Sequence, residues 1–171
     1  MTTTIRQATP DLLTATHQMF GKITDKMLEA GIDQWNHDYP DIETLTNDVE
    51  SGNQYVALVD GNLAGSIVLD ARQDPQYRNI HWHQLNHKVL VIHRLGVDPQ
   101  YQGLGIGKQL CLFAEEYGKQ NGYLSIRLDA YAGNPISNAM YDKLGYDKAG
   151  GYCYFRKKAI PFYCYDKTLV G

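Results

Sequence analysis

Two clusters in this chain combine residue types and spacing that can do chemistry. The first is Gln102-Gly103-Leu104-Gly105-Ile106-Gly107-Lys108. An apolar run, Val89-Leu90-Val91-Ile92, leads to it through Leu95, Gly96 and Val97 and stops at Asp98-Pro99, as a buried strand would. After it, Ile106, Leu110, Phe113, Ala114 and Tyr117 recur at helical spacing, and Gly122 is placed to end the helix. A glycine-rich turn between strand and helix lets the backbone approach a bulky anion. The first helical amides lack internal partners, and the macrodipole adds positive charge there. That is pyrophosphate-binding chemistry. The dinucleotide fingerprint needs G-x-G-x-x-G near a first strand, which this spacing does not give. The nucleotide P-loop fails because Gln102 and Gln109 stand where glycine and Ser/Thr are needed.

The second cluster lies between Asn134-Pro135, which opens a helix, and Gly145, which closes it. Ile136, Met140 and Leu144 fall at i, i+4 and i+8 and are expected to face the core. Asn134, Asn138 and Tyr141 share another face, and a tyrosine aligned with two amides could line a polar ligand. An N-capping Asn, a solvated Asn and a half-buried Tyr account for the same pattern equally well.

The pattern Gln102-x-x-Gly105-x-Gly107 after a strand ending in Val-Asp-Pro resembles the acetyl-coenzyme A signature of the GNAT N-acetyltransferases. The string Asn134, seven residues to Tyr141, then Lys143-Leu144-Gly145-Tyr146, is similar to a second signature of that family, usually ending Gly-Phe. By topology the resemblance covers nearly the whole chain; by motif it runs from about Ile92 to Tyr146. It implies that Gln102 to Lys108 hold the pyrophosphate of acetyl-coenzyme A and that Asn134 and Asn138 contact the same molecule. It also implies that Tyr141 sits beside the sulfur as general acid. In the family, the strand holding Leu95 to Val97 carries a bulge and splays from the next strand, which frees backbone groups for the pantetheine arm and the thioester carbonyl. Gly96 fits such a bulge and fits equally well as a plain strand glycine.

Direct acetyl transfer in a ternary complex also needs a base. By alternation His93 shares a face with Val91 and Leu95, and an imidazole can relay a proton near neutral pH. A structural histidine and a water chain are the alternatives. Trp35, Tyr39 and His83 are the candidate substrate contacts, with His37 beside them. The run His81-x-His83-x-x-x-His87 has no carboxylate or cysteine partner, and no metal is expected.

The elements that must position these residues read as β-α-α-β-β-β-α-β-α-β-β, a mixed α/β order matching a GNAT-like acyltransferase fold with helices flanking a central mixed sheet. Thr3 to Gln7 reads as the first strand. Thr9 caps a helix that runs to Gly31 and is breakable at Gly21, and Asp41 to Glu50 is a second helix. Gln54–Val59 and Leu63–Asp70 form a hairpin through Asp60-Gly61-Asn62. Residues 71 to 88 read as a long loop, Leu124 to Leu128 as a strand, and Ala149–Arg156 and Tyr163–Val170 as the last two strands.

The 171 residues suit one domain, 1–171, and the net charge of −3 gives no sign of nucleic-acid affinity. No apolar stretch nears a membrane span, and no signal-peptide core is visible. Three scattered cysteines suggest no disulfide framework and agree with a reducing cytoplasm. The expected activity is N-acetylation of a primary amine, a small molecule first and a protein or peptide N-terminus second. A non-catalytic acyl-coenzyme A sensor on the same fold is the reading from another class. Homodimers are common in the family, and no residue here decides the assembly.

Overall fold

The computed structural model describes residues 1–170. Seven strands are ordered β1-β2-β3-β4-β5-β7-β6 in one mixed sheet, with β4 and β5 parallel. They are β1 (Thr3–Gln7), β2 (Gln54–Val59), β3 (Asn62–Asp70), β4 (Val89–Val97), β5 (Ser125–Tyr131), β6 (Asp147–Lys148) and β7 (Phe162–Thr168). The helices are α1 (Leu13–Glu29), α2 (Ile42–Glu50), α3 (Ile106–Gln120) and α4 (Pro135–Lys143). Among the described residues no helix is long and apolar enough to cross a membrane.

The chain divides into two compact units, each made of two stretches of sequence. The first comprises Met1–Leu69 and Arg94–Phe113. Its core gathers Met19, Phe20 and Ile23 of α1, Leu45 of α2 and Trp35. Asp41 caps α2 by accepting the Thr44 amide at 2.9 Å. The β2–β3 hairpin turns through Asp60 (φ 49°) and Gly61 (φ 84°), the two positive φ angles that a tight hairpin needs. Gly65 of β3 is where α3 comes closest. A Cβ there would lie 3.1–3.2 Å from Leu110 and Ile106 side-chain carbons.

The second unit comprises Asp70–His93 and the chain from Ala114 onward. Here β5 pairs with β7 along its whole length. Its ladder to β4 has only three pairs, Val89↔Ser125, Leu90↔Ile126 and Val91↔Arg127. β4 runs on to Val97 and β5 to Tyr131.

Five expectations are corrected. Gly21 does not break α1, which is continuous because its buried stripe outweighs the roughly 1 kcal/mol cost of one interior glycine. Thr9 does not cap a helix with its side chain; its hydroxyl bonds the Asp11 carboxylate, and a 3-10 turn at Pro10–Leu12 precedes α1. Residues 71 to 88 are not featureless, since Pro75–Asn79 forms a 3-10 turn. Residues 149 to 156 make no strand. Gly151 (φ 98°) and Arg156 (φ 51°) break the extended backbone, leaving isolated bridges His81↔Gly150 and Cys153↔Phe162. Finally, α4 does not bury its whole apolar row, since Met140 and Leu144 are only half-buried. Ile136 is 78% exposed while Tyr141 and Asn134 are buried.

Candidate active site

In the first unit β4 ends at Val97 and the chain enters the loop before α3. Asp98 anchors the entry. Its Oδ1 accepts the Gln100 amide at 2.9 Å, and its Oδ2 accepts Lys22 Nζ of α1 at 2.7 Å. Gln102 donates through Nε2 to the Val97 carbonyl at 3.2 Å, tying the loop back to the strand. Gly103 (φ 80°) and Gly105 (φ 82°) are left-handed, and a Cβ built on either meets nothing within 4 Å. The backbone there faces open space. The first bond of α3 runs from the Gln109 amide to the Gly105 carbonyl at 3.0 Å, so the amides of Ile106, Gly107 and Lys108 precede the helical ladder. Ile106 buries its side chain and Leu104 exposes its own. An open glycine backbone, outward amides and a helix dipole of 15 residues fit the pyrophosphate of acetyl-coenzyme A.

Leu95 and Val97 are half-buried on β4, with Gly96 buried between them. Gly96 is not the left-handed residue of this strand; Arg94 is, at φ 45°. Gly96 is required by packing instead. A Cβ there would lie 2.8 Å from Phe20 Cε1 and 3.0 Å from Ile23 Cδ1. Arg94 is held in its unusual conformation by a two-pronged bond to Asp48 of α2, Nε to Oδ2 at 2.8 Å and Nη2 to Oδ1. Its Nη1 also donates to the Tyr39 hydroxyl at 3.2 Å. Burial opposes the guanidinium charge, but the Asp48 carboxylate more than compensates and holds the group firmly ionised. Tyr39 is thus tied to β4 through Arg94. The Trp35 ring, expected as a substrate contact, is part of the core. It is 6% exposed and packs edge-on against Phe20 at 5.3 Å in the core.

In the second unit His93 is buried on β4, and its Nε2 lies 2.8 Å from Asp70 Oδ1 at the end of β3. Burial alone would raise the Asp70 carboxyl; the bond and charge of His93 outweigh it and bring the group below the usual carboxylate range. Asp129 of β5 is driven the other way. Burial raises it, against the lowering effects of the Tyr77 hydroxyl, which donates to Oδ2 at 2.7 Å, and of the His93 charge. Burial pushes the Tyr77 phenol up as well, with the Asp129 charge beside it. Asp70, Tyr77 and Asp129 were not singled out from sequence. Asp70 ends a strand and Asp129 sits within another, so only the strand order reveals that His93 bonds the one and its charge acts on the other.

On α4, Asn134 caps the helix by accepting the Ser137 amide at 3.3 Å. Asn138 commits its amide to the fold. Nδ2 donates to the Tyr131 and Asn134 carbonyls at 2.9 and 2.8 Å, and Oδ1 accepts the Tyr165 hydroxyl at 2.8 Å. These three bonds let Asn138 position the helix. The Tyr141 ring lies 5.8 Å from Tyr146 and 5.7 Å from Tyr165. His83 is exposed, with Nε2 3.0 Å from the Lys148 carbonyl. That bond favours the protonated ring and raises its pKa against a small effect of burial.

A glycine loop opening a helix, a short parallel ladder and a tyrosine helix define an acyltransferase architecture. Residues 18–146 match the profile of the Acetyltransferase (GNAT) family. The chain belongs to that family and is an N-acetyltransferase. It is 26% identical over 136 residues to an uncharacterized N-acetyltransferase, YesJ, of Bacillus subtilis (strain 168), covering 76% of each chain. Its fold is similar to that of a GNAT-family acetyltransferase from Streptococcus agalactiae, with TM-score 0.82 and 24% identity over 97% of this chain and 95% of that one. It is also similar to a PaiA N-acetyltransferase from Thermoplasma acidophilum, solved in complex with coenzyme A. There the TM-score is 0.67 and the identity 21%, over 98% and 99% of the two chains.

Proposed function

We propose that the protein transfers the acetyl group of acetyl-coenzyme A directly to a small, cationic primary amine. The observation that carries the acceptor class is the His93–Asp70 pair, with Asp129 close enough for the imidazole charge to act on it. Two carboxyl groups around one imidazole favour an ammonium group over an anion, and the imidazole supplies the means to deprotonate it.

Acetyl-coenzyme A, when bound, supplies an activated thioester. The amides at Ile106 to Lys108 hold its pyrophosphate, with Gly103 and Gly105 giving clearance. Leu95, Gly96 and Val97 offer β4 backbone groups to its arm. His93, with Nε2 turned to Asp70, accepts the amine's proton at Nδ1. The amine nitrogen then attacks the acetyl carbon, and as the carbon–sulfur bond breaks the nitrogen gives up its second proton, which restores the Tyr141 hydroxyl once that has protonated the sulfur. Tyr141 delivers its hydroxyl proton to the departing sulfur. Tyr39 and His83 are the remaining candidates for contact with the acceptor.

The test is a thiol-release assay with acetyl-coenzyme A over a panel of amines, amino acids and peptide N-termini, with coenzyme A affinity measured by calorimetry. Turnover on a cationic small amine supports the proposal. Turnover on peptides alone replaces the acceptor class. Cofactor binding without any turnover favours a sensor.

A further inference from the structure

Cys153 and Cys164 lie only eleven positions apart in a chain whose cysteines otherwise look scattered. The fold brings their Sγ atoms to 3.2 Å. Cys153 belongs to the segment between β6 and β7, and Cys164 lies within β7; both are buried, at 1% and 0% exposure. The backbone clamps the pair. Cys153 N donates to the Phe162 carbonyl at 3.0 Å, and Phe162 N returns the bond at 2.7 Å. A disulfide bond is about 2.05 Å long, so a side-chain shift of about 1 Å converts this contact into a bond.

We propose that Cys153 and Cys164 are an oxidative modification site, at which a hydroperoxide forms a reversible disulfide that staples the 154–161 segment to β7. The thiolate of the first cysteine attacks one oxygen of hydrogen peroxide, the O–O bond breaks, and the expelled hydroxide takes up the proton that this thiol gave up, leaving a sulfenic acid and water. The second sulfur then attacks the sulfenic sulfur, forming the S–S bond and expelling hydroxide, which takes the second thiol's proton to become water. Two thiols are oxidised and one peroxide is reduced. A dithiol reductant reverses the change.

Local structure sets the order and the pace. Cys153 lies in irregular backbone, in a segment where Arg156 (φ 51°) and Lys157 (φ 56°) adopt left-handed conformations that non-glycine residues rarely hold. Opening of this segment exposes Cys153 before β7 releases Cys164. The neighbouring Cys153 thiol and burial push the Cys164 thiol up, which keeps it the second reactant. Cys164 faces Asp129 in the β5–β7 register, so the linked state reaches the strand that carries the acceptor carboxylate.

The test treats the folded, full-length protein with hydrogen peroxide, quenches it, denatures it and counts alkylatable thiols by intact mass. The expected result is a fall from three alkylated cysteines to one, Cys111, over a time course much slower than for a small-molecule thiol. Peptide mapping should find a Cys153–Cys164 link, and dithiothreitol should restore all three sites. Cys153→Ser should keep both remaining cysteines alkylatable under the same treatment, whereas Cys164→Ser should lose Cys153 to a sulfenic acid, with no link, that dithiothreitol restores. Three alkylatable thiols throughout, or sulfinic acid at either position without a link, would overturn the proposal. The mass readout does not depend on the acetyl-transfer reading.

Discussion

Asp70 and Asp129 are the same side chain pulled in opposite directions by their surroundings. Asp70 is lowered because His93 outweighs burial, so it contributes stability above the unfolded carboxylate pKa of about 4. That contribution is lost as pH falls through the still lower folded value. Asp70→Asn should therefore lower Tm at neutral pH, and the gap to wild type should close in an acid titration below about pH 4. Asp129 is raised by burial, so its ionisation costs stability once pH exceeds the unfolded value. Asp129→Asn should raise Tm at neutral pH, each kcal/mol appearing as about 2–4 °C, while the KM for a cationic amine rises about tenfold. An unchanged KM would remove Asp129 from acceptor binding. Tyr141→Phe should lower kcat by about 10–100-fold with coenzyme A affinity nearly unchanged, because it removes a proton donor and keeps the ring packing. Equal rates in variant and wild type would end the general-acid assignment.

At the scale of elements, the loop before α3 and the strand before it obey different demands on glycine. Gly105 is left-handed and open, so Gly105→Asp should abolish coenzyme A binding by calorimetry through backbone strain and charge against the pyrophosphate. Undiminished affinity would show that the loop does not hold the cofactor. Gly96 has ordinary φ and no room, so Gly96→Ala should cost about 1–3 kcal/mol in denaturant unfolding by pushing on Phe20 and Ile23. The strand, the glycine loop and α3 were legible in sequence because turn chemistry and periodicity act locally. The inward face of α4 was not. Ile136, Met140 and Leu144 satisfy the helical period as well as Asn134, Asn138 and Tyr141 do, and the choice was made by partners far along the chain. The Tyr165 hydroxyl on Asn138 and the Tyr146 ring beside Tyr141 hold the polar face inward. The left-handed residue of β4 was hidden for a similar reason. Glycine is the usual occupant of positive φ, but Arg94 is held there by Asp48, 46 residues earlier.

At the scale of the whole molecule, the four helices and most of the strands followed along the chain from the alternation of patterns, while the order of strands in the sheet did not. The division into two units had no local signature, because each is assembled from stretches far apart in the sequence. The chain has two tryptophans, and each unit owns one. Trp35 is enclosed with Phe20 in the first. Trp82 lies in the second, under the Arg127 guanidinium at 4.3 Å and bonded through Nε1 to the Tyr77 carbonyl at 3.1 Å. The molecule therefore carries a separate optical reporter in each half. Trp82→Phe leaves emission that reads only the α1–α2 core, and Trp35→Phe leaves emission that reads only the surroundings of Tyr77 and Asp129. Ligand titrations followed in the two single-tryptophan proteins then separate events near Tyr77 and Asp129 from events in the helical core by wavelength and intensity alone.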